Sequence, residues 1–140
     1  MGGLSLEDLF VAQCAEMVRM VTETDVAGFA AITGDLNPVH LEQFYAEKTS
    51  FGSRIAHGML GAGYISAVIG MQLPGPGTIY LSQSLRFRRP VRIGDTVIAR
   101  VEVVGIDTSR ARVTLATSCR VDGQVVVDGE AEILAQRRGA

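Results

Sequence analysis

His57-Gly58-Met59-Leu60-Gly61-Ala62-Gly63-Tyr64-Ile65-Ser66-Ala67-Val68-Ile69-Gly70-Met71-Gln72-Leu73 is a long apolar run without one charged residue. Its length approaches that of a membrane span. It is nevertheless interrupted by His57, Ser66 and Gln72, punctuated by Gly58, Gly61, Gly63 and Gly70, and stopped by Pro74-Gly75-Pro76-Gly77. A helix apolar on every side and trimmed with glycine and alanine suits the buried axis of a soluble domain, and no membrane association is expected. The Gly58-Met59-Leu60-Gly61-Ala62-Gly63 spacing matches neither phosphate-binding fingerprint, and no clear strand precedes it.

Downstream of this helix the periodicity changes to two. Thr78 to Arg89 alternates around Leu81, Gln83, Leu85 and Phe87, with Pro90 weakening pairing at its end. Thr96 to Val104 puts Val97, Ala99, Val101 and Val103 on one face, and Arg110 to Val121 does the same with Ala111, Val113, Leu115, Thr117 and Cys119. Asp122-Gly123 is a two-residue hairpin signal that returns the chain through Val125, Val127, Gly129, Ala131 and Ile133. An antiparallel meander follows from this pattern.

Upstream, Leu6 to Phe10 forms a short amphipathic piece and Ala15 to Val21 reads as a strand. Thr22 is placed to cap a helix with Asp25 as its reciprocal partner, and Gly34 closes that helix. Next comes Asp35-Leu36-Asn37-Pro38-Val39-His40, a stiff turn in which Asn37 is pushed away from helical angles and Pro38 has a fixed φ. Asp35 and His40 are thereby held on a backbone with few alternatives. Leu41 to Lys48 reads as a further short helical piece and Thr49 to Arg54 as loop. A sheet curled around one helix gives an α+β domain filling residues 1–140, with edges and flanks left for a second copy; a homodimer is expected.

Composition agrees with one ordinary domain: 140 residues, 47% hydrophobic, formal net charge −2 and no long run of either sign. Nothing in it points to nucleic acid. Cys14 and Cys119 have no metal-ligand spacing, and no signal peptide precedes the first structured segment, so a reducing cytoplasm is the default location. No metal site is expected, because no cluster of ligating residues is evident along the chain.

Gly34-Asp35-Leu36-Asn37-Pro38-Val39-His40, then Ile55-Ala56-His57-Gly58-Met59-Leu60, then Gln83-Ser84-Leu85-Arg86-Phe87 and Val91-Arg92-Ile93-Gly94-Asp95 resemble the MaoC-type (R)-specific enoyl-CoA hydratases. The likeness runs from about Val21 to the C-terminus and is greatest to the small single-domain hydratases that supply polyhydroxyalkanoate synthesis. It implies a hot-dog fold, a homodimer, and reversible syn addition of water to a trans-2-enoyl-CoA giving the (R)-3-hydroxyacyl-CoA. Coenzyme A would enter as part of the substrate, with no separate cofactor.

Such a reaction must take a proton from water, deliver one to the α-carbon and stabilise an enolate-like oxygen between those events. Asp35 and His40 can hold one water between them, with Asp35 the simplest base and His40 orienting the water or passing the proton to carbon. The backbone N–H of Gly58, opening a long helix, is the candidate oxyanion donor, its missing side chain leaving room for a thioester. Asn37 supports the turn. The resemblance maps a third polar residue to Ser66, whose hydroxyl would orient the network. Arg86, Arg88 and Arg89 are candidates for the coenzyme A phosphates, against the plainer reading of a solvated strand face. His57 reads as structural or as a support behind the pair. Met17, Phe29, Leu60, Tyr64 and the loop from Thr49 to Arg54 are expected around the acyl chain. Rival readings are an acyl-carrier-protein-linked (R)-3-hydroxyacyl dehydratase, a hot-dog thioesterase, and a non-catalytic acyl-CoA-binding protein or inactive partner of a heterodimer.

Overall fold

Val97, Ala99, Val101 and Val103 are all 2% exposed or less, as their alternation requires, and they face a helix that begins at Gly58. The computed structural model describes residues 2–139. A 3-10 turn at Leu6–Asp8 leads into β1 (Cys14–Met20), α1 (Glu23–Thr33), α2 (Pro38–Leu41), α3 (Gln43–Glu47) and the long α4 (Gly58–Met71). Strands β2 (Ile79–Gln83), β3 (Arg86–Phe87), β4 (Thr96–Asp107), β5 (Arg112–Val121) and β6 (Gln124–Leu134) complete the chain. The strands form one antiparallel sheet of order β1-β4-β5-β6-β2, with β3 also paired to β6. This sheet packed on α4 is the hot-dog arrangement that the sequence resemblance implies. Among the described residues no helix is long and apolar enough to cross a membrane.

Ile65, Val68 and Ile69 of α4 meet Val101, Val103, Val113, Leu115, Ala131 and Ile133 in a single core. Each Å² of apolar surface that this interlayer contact removes from water contributes about 25 cal/mol to stability. Thr22 caps α1 as expected: its Oγ1 accepts from the Asp25 N–H at 3.1 Å, and Asp25 Oδ2 accepts from the Thr22 N–H at 3.0 Å. Gly34 ends α1 at φ 81°.

Three local readings need correction. The turn bearing His40 is a one-turn helix, because Asn37 caps it and Pro38 is already preset for its first position. The predicted strand from Thr78 to Arg89 is broken at Ser84–Leu85 where it crosses Gly129; a Cβ on that glycine would lie 1.8 Å from the Ser84 carbonyl oxygen. Finally, Val125 does not share the inward row with Val127. An irregularity opposite Cys119 and Arg120 inserts Val126 as an extra residue, so Val126 and Val127 are both 3% exposed.

Candidate active site

The turn between α1 and α2 is built by side chains answering their own backbone. Asp35 Oδ1 accepts from the Asn37 N–H at 3.2 Å, and Asn37 Oδ1 accepts from the Val39 N–H at 3.2 Å. Asp35 is thereby exposed at the start of the turn, while His40, in the single turn of α2, is 8% exposed.

A second segment clips this turn in place. Arg54 Nε donates to the His40 carbonyl at 2.7 Å, the Ile55 N–H donates to the Val39 carbonyl at 3.3 Å, and His57 Nε2 contacts the Asp35 carbonyl at 3.0 Å. Nδ1 of His40 lies 2.7 Å from the Ile55 carbonyl oxygen. A carbonyl only accepts, so His40 carries its hydrogen on Nδ1 and His57 on Nε2. In the neutral ring the nitrogen left to accept is therefore Nε2. Arg54 is also anchored to Glu23 of α1 at 2.6 Å. Thr49 to Arg54 is loop, as expected; the clip it carries has no sequence signal, because a contact across 14 residues leaves no periodic trace.

Asp35, His40 and His57 each bring one ligating atom within 4.8 Å of the others, contrary to the expectation that no such cluster exists. The two imidazoles are stacked, with centroids 3.9 Å apart and planes at 28°. Stacked rings send their lone pairs side by side. A cation about 2.1 Å from both nitrogens would have to lie near both ring planes, which this arrangement disfavours. A water molecule suits the Asp35–His40 gap better, since two hydrogen bonds of about 2.8 Å, bent at oxygen, bridge separations of the kind that this 4.8 Å limit allows.

Beside this pair α4 begins. His57 is its N-cap residue, yet its side chain makes no capping bond, and Gly58, as the first helical residue, has an N–H with no acceptor within the helix. Gly58 opens onto a cavity of about 520 Å³ that His40, His57, Leu60, Tyr64 and Phe51 also line. The reason for glycine is more specific than room for a thioester: a Cβ there would stand 2.8 Å from the Phe87 ring.

Other expected residues separate. Arg88 and Arg89 line the cavity and Arg86 does not. Arg88 is paired with Asp128 at 3.1 Å, whereas Arg89 has no ion pair among the described residues. Ser66 is exposed on another face of α4, in a shallow depression with Tyr80, Leu81, Gln83 and Leu85, and within one chain it is not brought to the Asp35–His40 pair. Of the expected acyl-chain wall, Leu60, Tyr64 and Phe51 line the cavity; Met17 packs against the core and Phe29 against His57, at 4.7 Å. Cys119 also lines it, its thiol pushed up to about 12 by burial.

Residues 13–125 match the family model described as a MaoC like domain. That span holds the turn, the clip and the opening of α4. This chain belongs to the MaoC-like family. It is 50% identical over 133 residues to an (R)-specific enoyl-CoA hydratase of Rhodospirillum rubrum, covering 95% of this chain and 92% of that protein. It is also 50% identical to a 3-hydroxybutyryl-CoA dehydratase of Methylorubrum extorquens, covering 96% and 86% of the two chains. Among solved structures, the unliganded R-hydratase of Pseudomonas aeruginosa superposes with a TM-score of 0.93 at 48% identity, covering 97% of this chain and 88% of that one.

Proposed function

We infer that this MaoC-like protein is an (R)-specific enoyl-CoA hydratase, a hydro-lyase that adds water reversibly to a trans-2-enoyl-CoA. The observation that carries the catalytic assignment is the 2.7 Å contact of His40 Nδ1 with the Ile55 carbonyl oxygen. With Nδ1–H given to the Ile55 carbonyl, Nε2 is an acceptor, and the ionised Asp35 carboxylate is another. A water between them donates both hydrogens and turns its lone pairs toward the β-carbon.

In this state the Asp35 carboxylate has no proton to give, and the His40 Nδ1–H is committed to the Ile55 carbonyl. The proton that reaches the α-carbon therefore originates in the attacking water, passing through one of the two acceptors. Hydroxyl and hydrogen come from one molecule on one side of the double bond, so addition is syn. As charge builds on the thioester oxygen, the Gly58 N–H and the positive end of α4 stabilise it. Asn37 supports the geometry by capping the turn, and Arg88 and Arg89 offer cations to the phosphates of coenzyme A at the cavity.

Two copies pair in this reading. β2 is an edge strand whose Ile79 and Leu81 are 54% and 43% exposed, and the depression holding Ser66 lies against it. A second subunit would cover this apolar edge and give the Ser66 hydroxyl a neighbouring site to serve. Light scattering tests the pairing, and an active monomer would contradict it.

The activity is tested by the ultraviolet absorbance of the conjugated enoyl thioester in crotonyl-CoA, with chiral analysis of the product. Loss of absorbance with the thioester retained and an (R)-hydroxyl formed is the expected result. Release of free thiol, or an unchanged spectrum, would reject it.

A further inference from the structure

His57 touches both members of the Asp35–His40 pair, yet offers neither of its nitrogens to a substrate. Nε2–H is committed to the Asp35 carbonyl, and Nδ1 is buried with no hydrogen-bond partner among the described residues. The ring is 4% exposed, with His40 stacked 3.9 Å from it and Phe29 packed at 4.7 Å. A hydrogen on Nδ1 would point a donor where no described residue accepts from it, so the surroundings fit the tautomer with hydrogen on Nε2.

This arrangement is costly for a residue that only fills space. A phenylalanine would occupy a similar volume without the orphaned nitrogen, and a residue retained despite such a nitrogen calls for an explanation. His57 also gives up capping α4, although it stands at the N-cap position. What it offers in exchange is one donor and one flat face, directed at two neighbours that sequence separates. The donor fixes the backbone at Asp35, and the face fixes the plane of the His40 ring.

We propose that His57 is a positioning residue for hydration: a neutral Nε2–H imidazole that holds Asp35 through its carbonyl and His40 through its ring, and so sets the gap the reacting water occupies. The proposal rests on Asp35 and His40 being the catalytic pair. It predicts a loss in turnover and not in binding, because misplacement of reacting groups by about 1 Å costs on the order of a hundredfold in rate.

The first test needs no activity. The chain has two histidines, so nitrogen-15 spectra of the imidazoles of the intact protein can be assigned with single His variants. At neutral pH His57 should show hydrogen on Nε2 alone and His40 on Nδ1 alone; an Nδ1–H or doubly protonated His57 would overturn the proposal. The second test is a pair of variants. His57→Phe keeps a ring and loses the donor, and should lower kcat on crotonyl-CoA about 10- to 100-fold with KM little changed. His57→Gln restores a donor at the reach of Nε2 and should recover part of that loss.

Full turnover by His57→Phe, a loss expressed mainly in KM, or no recovery in His57→Gln would each reject the positioning role. Should His57→Phe fail to fold, the wild-type tautomer and the kcat of His57→Gln against wild type decide: an Nε2–H ring with a partial loss of kcat at little changed KM supports the role, and any other combination, wild-type turnover included, rejects it. Activity surviving in both Asp35→Asn and His40→Gln would instead remove the catalytic pair itself, a result distinguishable from full activity in His57→Phe alone.

Discussion

Nδ1 of His40 lies 2.7 Å from the carbonyl oxygen of Ile55, and that contact commits one of the two ring nitrogens to the backbone. Asp35→Asn keeps an oxygen that can accept from the water but leaves an amide that cannot take up a proton, and His40→Gln does the same at the other side. Each variant should keep its fold, since Asp35 is exposed and glutamine can still donate to Ile55. Each should lose about 10²- to 10⁴-fold in kcat on crotonyl-CoA, read from enoyl absorbance alongside an unchanged far-ultraviolet spectrum. Near-normal turnover in either variant would remove that residue from the mechanism.

If the attacking water supplies both added atoms, hydration in deuterium oxide should place deuterium at the α-carbon on the same face as the new hydroxyl. Proton resonances of the product report this directly. A product with deuterium on the opposite face, or scrambled between both, would require a separate proton donor and would contradict the assigned tautomer.

Gly58→Ala should be damaging for a reason that can be isolated. The new methyl meets the Phe87 ring at 2.8 Å, so either the ring or the start of α4 must move. Thermal unfolding should show a loss of about 1–3 kcal/mol from overpacking. Adding Phe87→Leu should relieve part of it, a coupling that independent sites would not show. An additive double mutant would mean the two residues do not meet.

The three arginines are predicted to rank. Arg89→Ala should raise KM for an enoyl-CoA about tenfold, the equivalent of one charge-assisted contact to phosphate. Arg88→Ala should cost less, because Asp128 already occupies that guanidinium, and Arg86→Ala should be silent because Arg86 does not line the cavity. An enoyl-pantetheine substrate without the nucleotide should abolish the differences. Equal effects of all three would signal only a diffuse positive field.

The cysteines should differ sharply toward a thiol reagent. Cys14 is exposed, whereas Cys119 is buried, with its thiol pushed up to about 12. Raising the pKa disfavours the thiolate, so at pH 8 Cys119 remains the unreactive thiol. Native protein should titrate with one equivalent of a disulfide reagent, and unfolded protein with two.

Much of this was legible from local chemistry. The Thr22–Asp25 capping box, the closing Gly34, the Asp122-Gly123 hairpin and the inward rows of β4 and β5 all depend on neighbours within a few residues. Asp35 and His40 stood out because a proline and an Asx turn fix the short segment between them. The remainder depended on contacts between distant segments. Nothing in the alternation of Thr78 to Arg89 announces that the Ser84 carbonyl must lie over Gly129, nor does the run Val125 to Val127 reveal its extra residue. Arg54 reads as loop and His57 as structural or a support behind the pair, and only folding shows the atoms by which each grips residues 35–40. Ser66 is the opposite case: its polar character was visible, but its surroundings depend on a surface that one chain leaves open.

His57 is bonded to the carbonyl of Asp35, and the next residue in the chain, Gly58, supplies the first N–H of α4. The group that would accept a proton from water and the group that would receive charge from the thioester thus belong to one small closed circuit of backbone, running through 35–40 and back through 54–58. Such a circuit has no free joint within it. A shift of α4 would carry both ends of the reaction together, preserving their spacing while the surrounding walls change. Mutational drift in those walls can therefore alter which acyl groups fit without retuning the distance over which bonds are made and broken.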